Sequence, residues 1–544
     1  MKNNNENLLG QIISGSFSKG LELKLTNKYD IENIRIGKFV IIQGEKAKYF
    51  SMVSDRQLET SNEKFLNYIP APDENFIKDV LMGTSVFGII KLTPYLTVEN
   101  KSELKDNDYP LKVKTIPPHF SIVNEASKGD IEEVFGKEEE FNKNFHLGFP
   151  AEMETPLCIN LEKFIQRSNG IFGKSGTGKS FLSRILLSGI LKKDVASILV
   201  FDMHNEYGWE GTNEENLSTK GLKQLFGDKV EVFTLDPQNK SYTFKDAIDL
   251  EIAYNQIEIE DLELIRNEMS LTDAMLDHLR IIEKIHEKSW LKTINEMTYN
   301  EMQEFCTQNN ANLSSLAALQ RKINSLISSV SYLKPVTSTN GINTILKILT
   351  SGKSVVLQFG RLNNIKSYLL ASNIITRQIH NAYRDITEKY LHDRTKYKQP
   401  KRLVICIEEA HKFLSKEAAR SGTFGTIARE LRKYNVTLLI VDQRPSGIDD
   451  EVMSQIGTRA TLLLNDENDI KSVFVGESGI ENLKGILSQL NPKQEVLMFG
   501  YAMPMPIVIR ARKYDSNFYK TMSEEISLSK EAKIRRGELA AAEL

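Results

Sequence analysis

The run Gly173-Lys174-Ser175-Gly176-Thr177-Gly178-Lys179-Ser180 fits the pattern G-x-x-x-x-G-K-[ST]. No other stretch restricts the fold as much, because the pattern works only between a strand and a helix. Its glycines let successive backbone N–H groups turn inward around a β-phosphate. Lys179 supplies a point charge to the β- and γ-phosphates, and the Ser180 hydroxyl is a ligand for Mg²⁺. Asn169 to Phe172 lead in, and Phe181-Leu182-Ser183-Arg184-Ile185-Leu186-Leu187 follows with a helical apolar pattern. Loop then helix seats an anion at a helix N-terminus, where the dipole and free N–H groups favour it. The expected ligand is ATP with Mg²⁺, held by residues 173–180 together with Phe181, the next in the chain.

A hydrolytic site also needs an acid for Mg²⁺ and a group that orients water. The apolar run Leu403-Val404-Ile405-Cys406-Ile407 ends on Glu408-Glu409. Glu408 is expected in the Mg²⁺ shell, and Glu409 as the general base that polarises water. The next apolar run ends at Val441-Asp442-Gln443-Arg444. Ligands of parallel sheets gather at the carboxyl ends of strands, so Gln443 is placed to sense the γ-phosphate or to position water. Arg429 and Arg432 lie between these runs in Ala428-Arg429-Glu430-Leu431-Arg432-Lys433-Tyr434. Either could enter a neighbouring subunit's site as an arginine finger. Asp202-Met203-His204-Asn205-Glu206-Tyr207 ends the run after the loop's helix. A nucleotide-site or subunit-contact role suits it better than metal binding, because no second His or Cys cluster is near.

The rest of the chain frames this site. Its 544 residues exceed one ordinary domain. Residues 1–120 alternate apolar and polar in short runs, as in Leu21-Glu22-Leu23-Lys24-Leu25 and Phe39-Val40-Ile41-Ile42, which predicts a small β-barrel. Residues 121–154 are charged, with Glu132-Glu133 and Glu138-Glu139-Glu140, and read as a connecting segment. From 155 to 515 strands and helices alternate, which predicts an α/β core with a mostly parallel sheet. Strand signals vanish between about 245 and 340. Met275, Leu279, Ile282 and Ile285 recur there at helical spacing after a possible cap at Ser270, which predicts a helical insertion. Glu495-Val496-Leu497-Met498-Phe499 and Ile507-Val508-Ile509 read as a closing hairpin, and 516–544 as a charged helical tail.

Three cysteines, Cys158, Cys306 and Cys406, are far apart and odd in number, which argues for a reducing compartment. The N-terminus is polar, and no apolar stretch approaches membrane-spanning length. A cytoplasmic protein without membrane contact is expected. The net charge of −2 leaves room for a nucleic-acid channel lined locally with Lys and Arg.

These motifs together resemble the HerA family of hexameric DNA-translocating ATPases, kin to FtsK-type motors. The resemblance covers most of the chain. It rests on Arg167-Ser168-Asn169-Gly170-Ile171-Phe172 and the loop, Asp202 to Tyr207, Glu408-Glu409-Ala410-His411, Ala428 to Lys433, Gln443-Arg444-Pro445-Ser446 and Met503-Pro504-Met505-Pro506-Ile507-Val508. It implies a RecA-like core, an N-terminal barrel that helps assemble the ring, a C-terminal brace reaching a neighbour, and double-stranded DNA in a central pore. It favours Arg432 as the finger, with Arg429 second, and matches Arg167 to a family arginine near the nucleotide. Leu431 departs from the Gly common in the family, and the insertion is the least family-like part. Pore contacts must go to phosphates rather than bases. Candidates are 415–422 and the loop after Tyr207; the basic stretch 389–402 reads rather as a solvated loop.

The implied function is a homo-hexameric ATP-driven DNA translocase or helicase. Such rings serve a nuclease or sirtuin-type effector in DNA end processing or anti-phage defence, and any cutting would belong to that partner. The alternative is a regulatory ATPase ring that scaffolds and switches an effector. A protein-remodelling ATPase fits the motifs less well.

Overall fold

The computed structural model describes residues 7–523 apart from 27–30, 62–69, 72, 85, 100–109, 152, 213–217, 240–243, 338–339, 431–432 and 478–482. The chain packs as two compact units. One takes residues 1–161, 174–178 and 458–512; the other takes 162–173, 179–457 and the chain after 512.

In the first unit, six antiparallel strands run in the order Gly20–Leu25, Leu8–Ser16, Ile122–Glu125, Phe39–Gln43, Ala47–Thr60, Val86–Glu99. Gly20–Leu25 also pairs with Val86–Glu99, matching Leu21 with Leu92 and Leu23 with Ile90, so the sheet closes into a barrel. Period-two patterning explains it: Leu21, Leu23 and Leu25 turn inward while Glu22 and Lys24 turn out. Leu9, Ile12, Val40, Ile42, Val53 and Val123 complete the interior. Gly10 is needed where strands cross closely, since a Cβ there would sit 2.0 Å from the Lys24 carbonyl oxygen.

The stretch 121–154 is not a bare connector. Ile122–Glu125 is a barrel strand, and Lys128–Phe135 is a helix. Ser127 caps that helix by accepting from the Asp130 N–H, while the Asp130 carboxylate accepts from the Ser127 N–H at 2.7 Å. Ile131, Val134 and Phe135 are its buried face. The glutamates that suggested a linker leave that face intact. A second antiparallel sheet in this unit runs Thr458–Thr461, Glu495–Gly500, Ile507–Ala511, Asn144–Pro150, Leu157–Asn160. The hairpin expected after 495 is its centre.

In the second unit a parallel sheet runs Ile248–Asp249, Val230–Thr234, Ser354–Gln358, Ser197–Asp202, Leu403–Glu408, Val436–Asp442, Asn169–Phe172. Every residue of Ser197–Asp202, Leu403–Glu408 and Val436–Asp442 is buried, which is why these strands read as unbroken apolar runs. Crossover helices include Lys179–Lys192, the long Ile365–His392 and Thr423–Glu430.

Most of 245–340 is helical, with six α-helices between Ile259 and Ser329 around Trp290, Leu279, Ile282, Leu316 and Ile323. A short parallel pair, Ile252–Ala253 with Leu333–Lys334, closes its base. Arg377, from the long crossover helix, holds the buried Asp261 at 2.6 Å, and the Asn373 amide donates to the same carboxylate at 2.7 Å. Two local expectations change. Ser270 is the left-handed C-terminal residue of Arg266–Met269, and Thr272 caps Asp273–His286. Ile285 is 52% exposed; Leu276 takes the inward position. The tail is helical over 516–523, and 524–544 lie outside the described residues. Among the described residues no helix is long and apolar enough to cross a membrane.

Candidate nucleotide site

The loop after Asn169–Phe172 turns on glycines in the left-handed region, with φ of 74° at Gly176 and 99° at Gly178. The Gly173 N–H donates to the Asp442 carbonyl at 3.2 Å, and the Lys174 N–H to the Leu463 carbonyl at 3.1 Å. Those two donors are spent on protein, so the N–H groups for an anion come later in the loop and in the helix's first turn. The Thr177 hydroxyl turns back to donate to the Lys174 carbonyl at 2.7 Å, stapling the turn. Lys174, Ser175 and Gly176 are exposed; Gly178, Lys179, Ser180 and Phe181 are half-buried.

Burial pushes the Lys179 ammonium below the usual lysine range, and the carboxylates of Asp442, Glu409 and Glu408 oppose that shift. Glu408 ends its strand 8% exposed. The Tyr207 phenol donates to its Oε1 at 2.9 Å. The Tyr368 phenol accepts from the Glu408 N–H at 3.0 Å and donates to the Glu408 carbonyl at 3.1 Å. Burial raises the Glu408 carboxyl to about 7. Glu409 differs in every respect. It sits in the left-handed region with φ 51° and ψ 43°, its side chain is 32% exposed, and the Gln443 amide donates to its two oxygens at 3.2 and 3.3 Å. The structure therefore brings together Lys179, Glu408, Glu409 and Gln443.

Arg167 packs on Gly457, where an added Cβ would come within 2.6 Å of its side chain. The Arg429 guanidinium donates to the Ala419 carbonyl at 2.7 Å within its own chain. Arg432 lies outside the described residues.

The sequence assigns no role to Asp442 or Tyr368, and it places Tyr207 only as the end of the element Asp202 to Tyr207. Asp442 is buried and accepts from the backbone N–H groups of His411 and Arg444, both at 2.6 Å, while His411 Nδ1 lies 3.0 Å from it. Asp442 stood beside Gln443 at a strand's end, which was the available signal. Tyr207 ends an element expected near the nucleotide, but nothing in the sequence links it to Glu408, 201 positions away. Asp202 through Tyr207 forms a turn: Asp202 accepts from the N–H groups of Glu206, Tyr207 and Gly208 at 2.7, 2.9 and 3.0 Å. Among the described residues no group of three or more His, Cys, Asp or Glu is set to hold a metal by itself. The Ser180 hydroxyl and the Glu408 carboxylate are nonetheless hard oxygen donors of the kind Mg²⁺ takes when phosphates complete its shell. A buried carboxyl raised to about 7 is also one whose charge a cation would restore.

A lysine desolvated beside acids, at the head of a helix fed by a glycine-turned loop, makes physical sense opposite polyphosphate. Fold and site define a P-loop ATPase. Residues 145–379 match the family model of the central domain of helicase HerA. The chain is 24% identical over 489 residues to the DNA double-strand break repair helicase HerA of Saccharolobus solfataricus, covering 89% of this chain and 88% of that one. It is 26% identical over 374 residues to the HerA of Sulfurisphaera tokodaii, covering 67% and 68%. Among solved structures, VirB4 of Thermoanaerobacter pseudethanolicus aligns with a TM-score of 0.45 at 14% identity, over 70% of this chain and 100% of that one; so remote a likeness carries no function. The chain is similar to HerA proteins over most of its length, and the match to the HerA central-domain model falls on residues 145–379.

Proposed function

We propose that this chain is one subunit of a cytoplasmic homo-hexamer that hydrolyses ATP to translocate or unwind double-stranded DNA. In this reading the ring serves a nuclease or sirtuin-type effector in DNA end processing or anti-phage defence. The observation that carries the hydrolytic part is the unequal treatment of the two acids. Glu408 is enclosed and occupied by a phenol, whereas Glu409 is accessible and shares its oxygens with the Gln443 amide. An enclosed carboxylate suits the metal side; an accessible one beside an amide suits an attacking water.

Lys179 binds the β- and γ-phosphates, with the N–H groups from Ser175 to Phe181 around them. The Ser180 hydroxyl and the Glu408 carboxylate would hold Mg²⁺, which would supply neutralisation of phosphate charge. Glu409 accepts the proton of the attacking water, which Gln443 orients. Arg432, or failing it Arg429, completes a neighbour's site, and Arg167 lies near the nucleotide. The Arg429 side chain must first leave the Ala419 carbonyl, which favours Arg432. The barrel assembles the ring, and 516–544 braces a neighbour. DNA phosphates meet 415–422 and the loop after Tyr207, of which 213–217 and the side chains of Arg420 and Ser421 lie outside the described residues. The DNA part is supported by the description of the relatives as double-strand break repair helicases.

The test is ATP turnover with and without linear duplex DNA, together with displacement of a DNA-bound roadblock. Stimulated turnover and a moving roadblock are expected. Turnover indifferent to DNA, with no roadblock moved, sinks the motor and favours a scaffold that switches an effector. Arg432→Ala subunits mixed into wild-type rings should depress activity more than in proportion; a strictly proportional loss argues against a finger acting between subunits.

A further inference from the structure

Tyr207 is fully buried, and its phenol oxygen meets two elements at once. It lies 2.9 Å from Glu408 Oε1 and 2.7 Å from Ser183 Oγ. Ser183 Oγ is in turn 3.0 Å from the carbonyl of Ser180, in the first turn of the helix Lys179–Lys192. The ring is not free to swing. The Arg184 guanidinium, 1% exposed, lies over it at 5.6 Å and is itself held by Glu206 at 3.1 Å and Thr219 at 3.0 Å. The backbone of Tyr207 is fixed by its N–H on Asp202. Tyr368 meanwhile clamps the Glu408 main chain. One tyrosine thus sets the backbone of Glu408 and another sets one oxygen of its carboxylate.

We propose that Tyr207 is a positioning residue of the nucleotide site: it ties the Glu408 carboxylate to the first turn of the loop's helix, so that carboxylate and Ser180 hydroxyl keep one arrangement as nucleotide comes and goes. The inference rests on the reading of Glu408 and Ser180 as the metal-side pair. Mg²⁺ demands near-ideal octahedral geometry, so a carboxylate loosened by loss of the phenol O–H weakens the metal before it weakens the nucleotide. Tyr207→Phe keeps the ring under Arg184 and removes only the hydroxyl.

The experiment is Mg²⁺ titration of fluorescent ATP-analogue binding to the full-length Tyr207→Phe protein, read without turnover. The Mg²⁺ needed for half-maximal binding should rise about tenfold. Affinity in EDTA should change less than about twofold, and kcat should fall while KM at saturating Mg²⁺ holds. An unchanged Mg²⁺ requirement in a variant that melts like the wild type overturns the proposal. Should Tyr207→Phe not fold, Ser183→Ala removes the other anchor; a smaller rise is expected, and none overturns it. Glu408→Gln separates the two claims. A shift there with none in Tyr207→Phe refutes the role of the tyrosine alone. No shift in either variant removes Glu408 from the metal side as well.

Discussion

The carboxyl ends of the parallel strands and the interior of the barrel are both deeply buried β-structure, filled with opposite chemistry. At the strand ends Asp202, Glu408 and Asp442 are 0%, 8% and 1% exposed, each satisfied by N–H or O–H donors. The barrel's central cluster is aliphatic except for Tyr49. Burial in the barrel is plain favourable transfer. At the strand ends burial works against charge, raising the Asp202 carboxyl to about 6 and the Glu408 carboxyl to about 7. One region makes stability and the other uses it to hold groups ready for chemistry.

That contrast can be broken at several points. Glu409→Gln should lower ATP turnover at least about a hundredfold, with the thermal midpoint nearly unmoved; near-normal turnover would place the base elsewhere. Leu23→Ala should do the reverse, lowering stability by about 2–5 kcal/mol in urea unfolding while nucleotide affinity holds. A loss well under 1 kcal/mol would mean that the barrel interior is not tightly packed. Asp202 sharpens the comparison through pH. Its folded carboxyl is raised above its ordinary value, so its contribution is whole below about pH 4 and is lost as pH rises through about 6. The decline should be on the order of 3 kcal/mol at most, and Asp202→Asn should flatten it. An identical pH slope in that variant assigns the effect to another group. Smallest is Ser127→Ala, which removes the cap of Lys128–Phe135 and should cost about 1 kcal/mol. No change would show that the cap is replaced by water.

How much of this was legible follows the range of the interactions. The strands Leu403–Glu408 and Val436–Asp442 were readable because burial on both faces leaves one long apolar run. The loop was readable because its residues are consecutive, and Glu408, Glu409 and Gln443 because strand ends collect polar groups. The bonds of Tyr207 and Tyr368 to Glu408 were not, because 201 and 40 positions separate the partners and a buried tyrosine looks like any core aromatic. Lys128–Phe135 was hidden by its own charges: Glu132 and Glu133 drew the eye from Ile131, Val134 and Phe135. In the insertion the helical period was clear, yet Ser270 and Thr272 both look like caps and only the chain's path chooses Thr272.

The left-handed backbone of Glu409 carries a consequence for how this sequence responds to selection. A glutamate adopts φ 51° only with strain on the order of 1 kcal/mol, which glycine there would relieve. Directed evolution for heat resistance alone, with no demand for turnover, would therefore favour the substitution Glu409→Gly, and on the proposed role of Glu409 the tougher protein would be silent. On that proposal, only a demand for turnover would keep an acid at that position.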